Sequence, residues 1–219
     1  MTHSLHRRGT EENLKNDLAV IVRPAMGVNH EGAAPKLRRV MQIIYEEGPS
    51  NIGCVPKGQN LVIGYDLDNL LPQVKDNWPV FSVFSDPEKV LRVLRRLKEE
   101  DLGLSVVVSG LTQDVYELAA KENLAPHSVH FSLGIHGNLD RVADENDLAV
   151  TTMCGHGLVA ARLVQYVREE VAAGRMTPRE AALEVARPCS CGIFNVDRAE
   201  NLFAEGAPVD CCCGKHQAH

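Results

Sequence analysis

Cys154, Cys189 and Cys191 stand at glycine-rich breaks, in Thr151-Thr152-Met153-Cys154-Gly155-His156-Gly157 and Arg187-Pro188-Cys189-Ser190-Cys191-Gly192. Three thiols and an imidazole at such breaks are the donors of a soft metal ion or an iron–sulfur cluster. Two ligand sets follow. The three cysteines alone predict a [4Fe–4S] cluster with one iron open, because clusters ordinarily take four. With His156 added, they predict a tetrahedral zinc site. The chain lacks paired Cys-x-x-Cys and the common ferredoxin spacings, which argues against a zinc ribbon and a simple electron carrier. Cys54 stands alone and reads as a small buried hydrophobe.

An open metal polarises a substrate oxygen or sulfur as a Lewis acid, and such chemistry needs proton carriers. His156 is one candidate. His130 and His136 are two more, in a segment that alternates Val129, Phe131, Leu133 and Ile135 with Ser128, His130, Ser132 and His136. Alternation predicts a strand over 129–135 with one apolar and one polar side. A polar side bearing histidines suits a pocket with general acid/base groups. Ser132 on that side, Ser85 and Ser109 after strands, and Arg7, Arg8 and Arg23 are candidate binders of a small anionic metabolite. Ser109-Gly110 also opens a helix, where free amides attract anions.

The chain has 219 residues and a formal net charge of −6. That balance disfavours a nucleic-acid partner. No apolar run is long enough to span a bilayer, and the N-terminal residues lack the apolar core of a secretory signal. The expectation is a cytoplasmic protein with reduced thiols, free to form a homo-oligomer.

The elements that must position these residues are legible from periodicity. Apolar runs predict strands over 17–23, 61–65, 79–84 and 104–108. Helical spacing covers 35–47, a helix capped at Ser85-Asp86 and stopped by Gly103, and 112–123. The order suits an α/β protein, either an α+β sandwich of the ferredoxin-like split βαβ type or a mostly parallel mixed sheet. After Asp140 the pattern turns helical: Leu158–Ala173, a helix opened by the capping box Thr177-Pro178-Arg179-Glu180, and one over 196–205 capped by Asn195. The domains expected are an α/β unit over 1–140, a cysteine-bearing helical module over 141–206 packed on it, and a tail over 207–219. In that tail Cys211, Cys212 and Cys213 with His216 and His219 are either a soft-metal catch or an ordinary terminus.

The functional expectation is a metalloenzyme of lyase, hydratase or desulfurising type. It carries a cysteine-ligated iron–sulfur cluster or a single metal such as zinc. A metal- or cluster-handling accessory protein and a redox-sensing module are the alternatives.

Overall fold

A computed structural model describes residues 4–54 and 58–206; the Cys211–Cys213 cluster, His216 and His219 lie outside that range. The first elements are a short helix α1 (Glu11–Lys15), strand β1 (Leu18–Arg23), helix α2 (Ala34–Glu46), and strands β2 (Asn51–Cys54) and β3 (Gln59–Asn60). Then follow α3 (Leu67–Leu70), β4 (Val80–Phe84), α4 (Pro87–Glu100), β5 (Ser105–Ser109) and α5 (Thr112–Lys121). Four further helices close the described chain: α6 (Glu145–Thr151), α7 (Ala161–Ala172), α8 (Pro178–Ala186) and α9 (Val196–Glu205).

The strands form one sheet in the order β3-β2-β4-β1-β5, with every neighbouring pair antiparallel. Two β-α-β units are interleaved. β1-α2-β2 has β4 between its strands, and β4-α4-β5 has β1 between its own. That is split βαβ connectivity. The mostly parallel sheet is therefore not what forms: each helical crossover skips one place, and the skipped place is filled by an antiparallel strand. The protein is α+β, with its cysteine-bearing helices at the C-terminal end.

β1 explains the layering. All but its last residue are buried, because both faces of this central strand are covered, and a strand covered twice reads as a continuous apolar run. Leu18, Val20 and Val22 pack with α2 and α4 on one face. Ala19 and Ile21 pack with Phe81 and α6–α9 on the other.

Three local expectations give way. Residues 61–65 form no strand; Leu61–Ile63 is a 3-10 turn capped by Asn60 Oδ1, which accepts from the Val62 amide. β2 is the strand used instead. Residues 129–135 lie outside any strand and are exposed. Helix α7 begins at Ala161, three residues later than its apolar spacing suggests, and α6 precedes it.

A buried ionic cluster ties the N-terminal segment to the sheet and to α9. Asp17, just before β1, takes one guanidinium on each carboxylate oxygen, Arg7 on Oδ1 and Arg198 on Oδ2 at 2.7 Å. Asn195 donates to Asp17 Oδ1 at 3.0 Å. Burial alone would raise the Asp17 carboxyl, but the two guanidiniums hold it below the usual range. The stabilisation from such a depressed carboxylate is present above the ordinary carboxylate range and is lost as pH falls through the folded value. Asp17→Asn leaves two buried cations unpaired. It should lower the unfolding free energy by about 3–5 kcal/mol in a denaturant titration at neutral pH, with a smaller difference from wild type in acid.

Candidate thiol centre and adjoining cavity

The fold brings the three cysteines together from two loops. Cys154 lies in the turn after α6, and Cys189 and Cys191 follow α8. All three are 0–2 % exposed and share one apolar cluster with Met153, Ile193 and Phe194. Cys189 Sγ and Cys191 Sγ are 3.9 Å apart, and Cys154 is hydrogen-bonded to Cys189.

Backbone contacts set this geometry. A Cβ on Gly192 would sit 2.4 Å from the Gly53 nitrogen, and one on Gly53 would sit 2.7 Å from the Cys191 carbonyl oxygen. Two glycines therefore let the cysteine loop lie directly on β2. Gly192 also has φ +80°, a conformation that side chains disfavour. Asn60 on β3 donates to the Cys189 carbonyl at 3.0 Å. Arg7 reaches both loops, donating to the Ile193 carbonyl and, at 3.4 Å, to that of Met153.

The thiols form a graded series. Cys154 is pushed well above the ordinary thiol range, first by its hydrogen bond to Cys189 and then by burial, although the His156 and Leu158 amides work against the shift. Cys189 accepts from Cys154, which lowers it, but its own bond to Cys191 and burial leave it at about 11. Cys191 is lowered, chiefly by the Cys189 thiol, with help from the Ile193 amide and the Arg7 charge. Cys154 and Cys189 are thus raised and Cys191 lowered within one contacting group. The amides on Cys154 belong to the turn that follows it, and those on Cys189 and Cys191 to their own loop. Among the described residues, no group of three or more His, Cys, Asp or Glu side chains is set at metal-holding geometry. The trio is arranged as hydrogen-bonded thiols.

The His156 side chain is exposed. The other candidates gather elsewhere, around a cavity of about 2050 Å³ beyond the β5 edge. Its walls include His130, His136, Ser132, Ser109, Arg23, Arg8 and Arg7. Several of these groups already have partners. Arg8 pairs with Glu145. Ser109 accepts from Ser4 at 2.6 Å. Ser132 meets His6 Nδ1 at 2.9 Å, and His136 Nε2 meets the Leu133 carbonyl at 2.8 Å. Ser85 does not line this cavity and donates to Asn195 at 2.9 Å. Gly110 answers to packing, since a Cβ there would sit 2.6 Å from Leu18 Cδ2.

Asp17, Asn195, Arg198, Asn60 and Gly53 support the centre, and sequence reasoning gave them no such role. The one local signal was an acid opening an apolar run at Asp17. Comparison with protein-family models, curated proteins and solved structures finds nothing that matches this chain.

Gly53→Ala and Gly192→Ala each force the cysteine loop away from β2. Each should lower stability by about 1–3 kcal/mol, read by urea unfolding, whereas Gly134→Ala and Gly174→Ala, where a Cβ meets nothing within 4 Å and only the positive φ opposes it, measure the backbone cost of about 1 kcal/mol alone.

Proposed function

We propose that Cys154, Cys189 and Cys191 are the ligands of a soft metal ion or an iron–sulfur cluster, and that this centre serves an enzyme acting on a small anion. The observation carrying the reading is the convergence of three thiols from two loops, with backbone amides stabilising each sulfur. Amide hydrogen bonds to sulfur tune thiolate-bound metals and clusters. Uptake deprotonates the trio, and side-chain rotation must open the hydrogen-bonded contacts. The second support is Arg7, which holds the carbonyls of both cysteine loops and also lines the cavity. A ligand in the cavity would thus lie one side chain from the centre. Burial of all three sulfurs favours a resident ion over one passed on at the surface. A Lewis acid beside histidines fits addition or elimination of water or sulfur. Reduced thiols fit a cytoplasmic setting. No helix among the described residues is long and apolar enough to cross a membrane.

One observation favours a second reading. Two thiols 3.9 Å apart at Cys189 and Cys191 are placed for exchange with a disulfide. They would give up two electrons and two protons in forming their own disulfide, and the incoming disulfide would take both up as it is reduced to two thiols.

Protein prepared without oxygen and offered Co²⁺, Zn²⁺, or iron with sulfide should bind about one centre per chain, with thiolate-to-metal absorption in the cobalt form. Cys154→Ser, Cys189→Ser and Cys191→Ser should each weaken it. Because protons compete for thiols held at about 11 and above, affinity should rise with pH, up to about tenfold per unit for each proton displaced. Equal metal uptake by wild type and the triple variant would end the metal reading. A Cys189–Cys191 disulfide found by peptide mapping after mild oxidation, with no metal uptake, would install the redox one.

A further inference from the structure

The outer edge of β5 and the segment 128–136 make a matched pair. β5 pairs with β1 on one side, and the cavity opens on its other side, lined by both 105–111 and 126–137. A cavity of about 2050 Å³ exceeds the roughly 300–1,000 Å³ of small-molecule sites. The segment beyond it exposes Phe131 at 63 % and Leu133 at 85 %. Apolar side chains left in water at strand spacing, facing an unpaired strand edge, are the two halves of a β-pairing.

We infer that Ser128–His136 docks on the β5 edge as a sixth strand, parallel to β5, and so closes the cavity. The connection has the right length. β5 runs five residues, about 16 Å at strand rise, and α5 returns over ten, about 15 Å at helix rise. The chain therefore reaches residue 122 level with the start of β5. Residues 122–127 then form a six-residue link, within the usual range for a helix-to-strand connection. The connection also has the right hand. α5 packs against α4 and β5, and Leu118 joins the core of α2 and α4. β5-α5-segment thus continues the travel of β4-α4-β5, in the same direction on the same face, and β-α-β crossovers keep that hand.

The faces match as well. Val106, 37 % exposed, and Val108 lie on the side of α2 and α4, where docking sets Phe131 and Leu133 over α5. The opposite side of β5 carries Ser105, Val107 and Ser109, paired with Arg23, Ile21 and Ala19. His130 and Ser132 fall on that side. Ser132 already contacts His6 of the N-terminal segment there. Docking therefore turns an open space into a narrow polar pocket in which His130 and Ser132 stand near Ser109 and Arg23. This inference rests on the sheet edge and not on the thiol centre.

The test uses the full chain labelled with ¹⁵N and ¹³C in solution, with thiols reduced and no metal added. Docking predicts nuclear Overhauser contacts between 106–108 and 130–134 in parallel register, and slowed exchange of amides in 130–134. Phe131→Asp with Leu133→Asp should abolish both while the β1–β4 contacts persist. Amides in 130–134 exchanging at free-peptide rates, with no contact to β5, would overturn the inference. So would contacts that appear only between chains when labelled and unlabelled protein are mixed, which would make the occupant of the edge a second copy.

Discussion

Two guanidiniums on one buried carboxylate govern this structure. Asp17 and Arg198 are almost fully excluded from solvent, and Arg7 nearly so. The cluster carries one more positive than negative charge, and desolvating ions costs several kcal/mol each. The arrangement persists because the terminal guanidinium nitrogens find acceptors beyond Asp17, although the Nε atoms of Arg7 and Arg198 are buried without one. Arg198 gives one hydrogen bond to the Arg8 carbonyl at 2.6 Å, and Arg7 gives others to Ile193 and Met153. Each acceptor lies on a different stretch of chain. The pairs therefore do less to add net stability than to specify which loops meet at the start of β1. Even Gly9 obeys this constraint, since a Cβ there would lie 2.3 Å from Arg198 Nη2.

The thiol centre inherits its geometry from that cluster. Arg7 holds Met153 and Ile193, the neighbours of Cys154 and Cys191 by one and two residues, so both loops are set by one side chain. A neutral thiol packs in an apolar core at little cost, but a thiolate does not. The protein meets that cost with amides at each sulfur and with the Arg7 charge, which favours ionisation of Cys191. One nearby positive charge suits one thiolate. Ionising all three requires further positive charge, which a metal ion supplies or protons supply in its place.

What was legible in the sequence was local. Asp86 caps α4 by accepting from the Glu88 amide, and Thr177 with Glu180 forms the capping box of α8, because both signals lie within one turn. β1 and the apolar face of α2 follow from periodicity. β2 was not legible: Asn51-Ile52-Gly53-Cys54 has no strand-like alternation, because Gly53 exists for the close approach of Cys191. Arg7 read as an anion binder because an isolated arginine shows nothing of its partners. Those partners are 10, 146 and 186 residues away in sequence. The convergence of Cys154 with Cys189 and Cys191 could be framed from helix-break spacing, but Asn60 and the two glycines that fix it answer to tertiary contact alone.

The partners already held by the arginines narrow where an anion would be held. Arg7 is committed to Asp17 and two carbonyls, and Arg8 to Glu145 and, through its amide, to Thr152 at 2.9 Å. Drawing either away leaves a carboxylate behind, fully buried for Asp17 and 40 % exposed for Glu145. Arg23 differs. At the end of β1 it donates to the Pro24 carbonyl at 3.4 Å, and no ion pair to it is found among the described residues. Its β5 neighbour is Ser105, on the side of the sheet that His130 and Ser132 would share. A weak backbone contact is exchanged for a charge-assisted pair at small cost, so of the three arginines the one best placed to receive an anion is Arg23, at the rim of the cavity, while Arg7 stays between that cavity and the thiol loops.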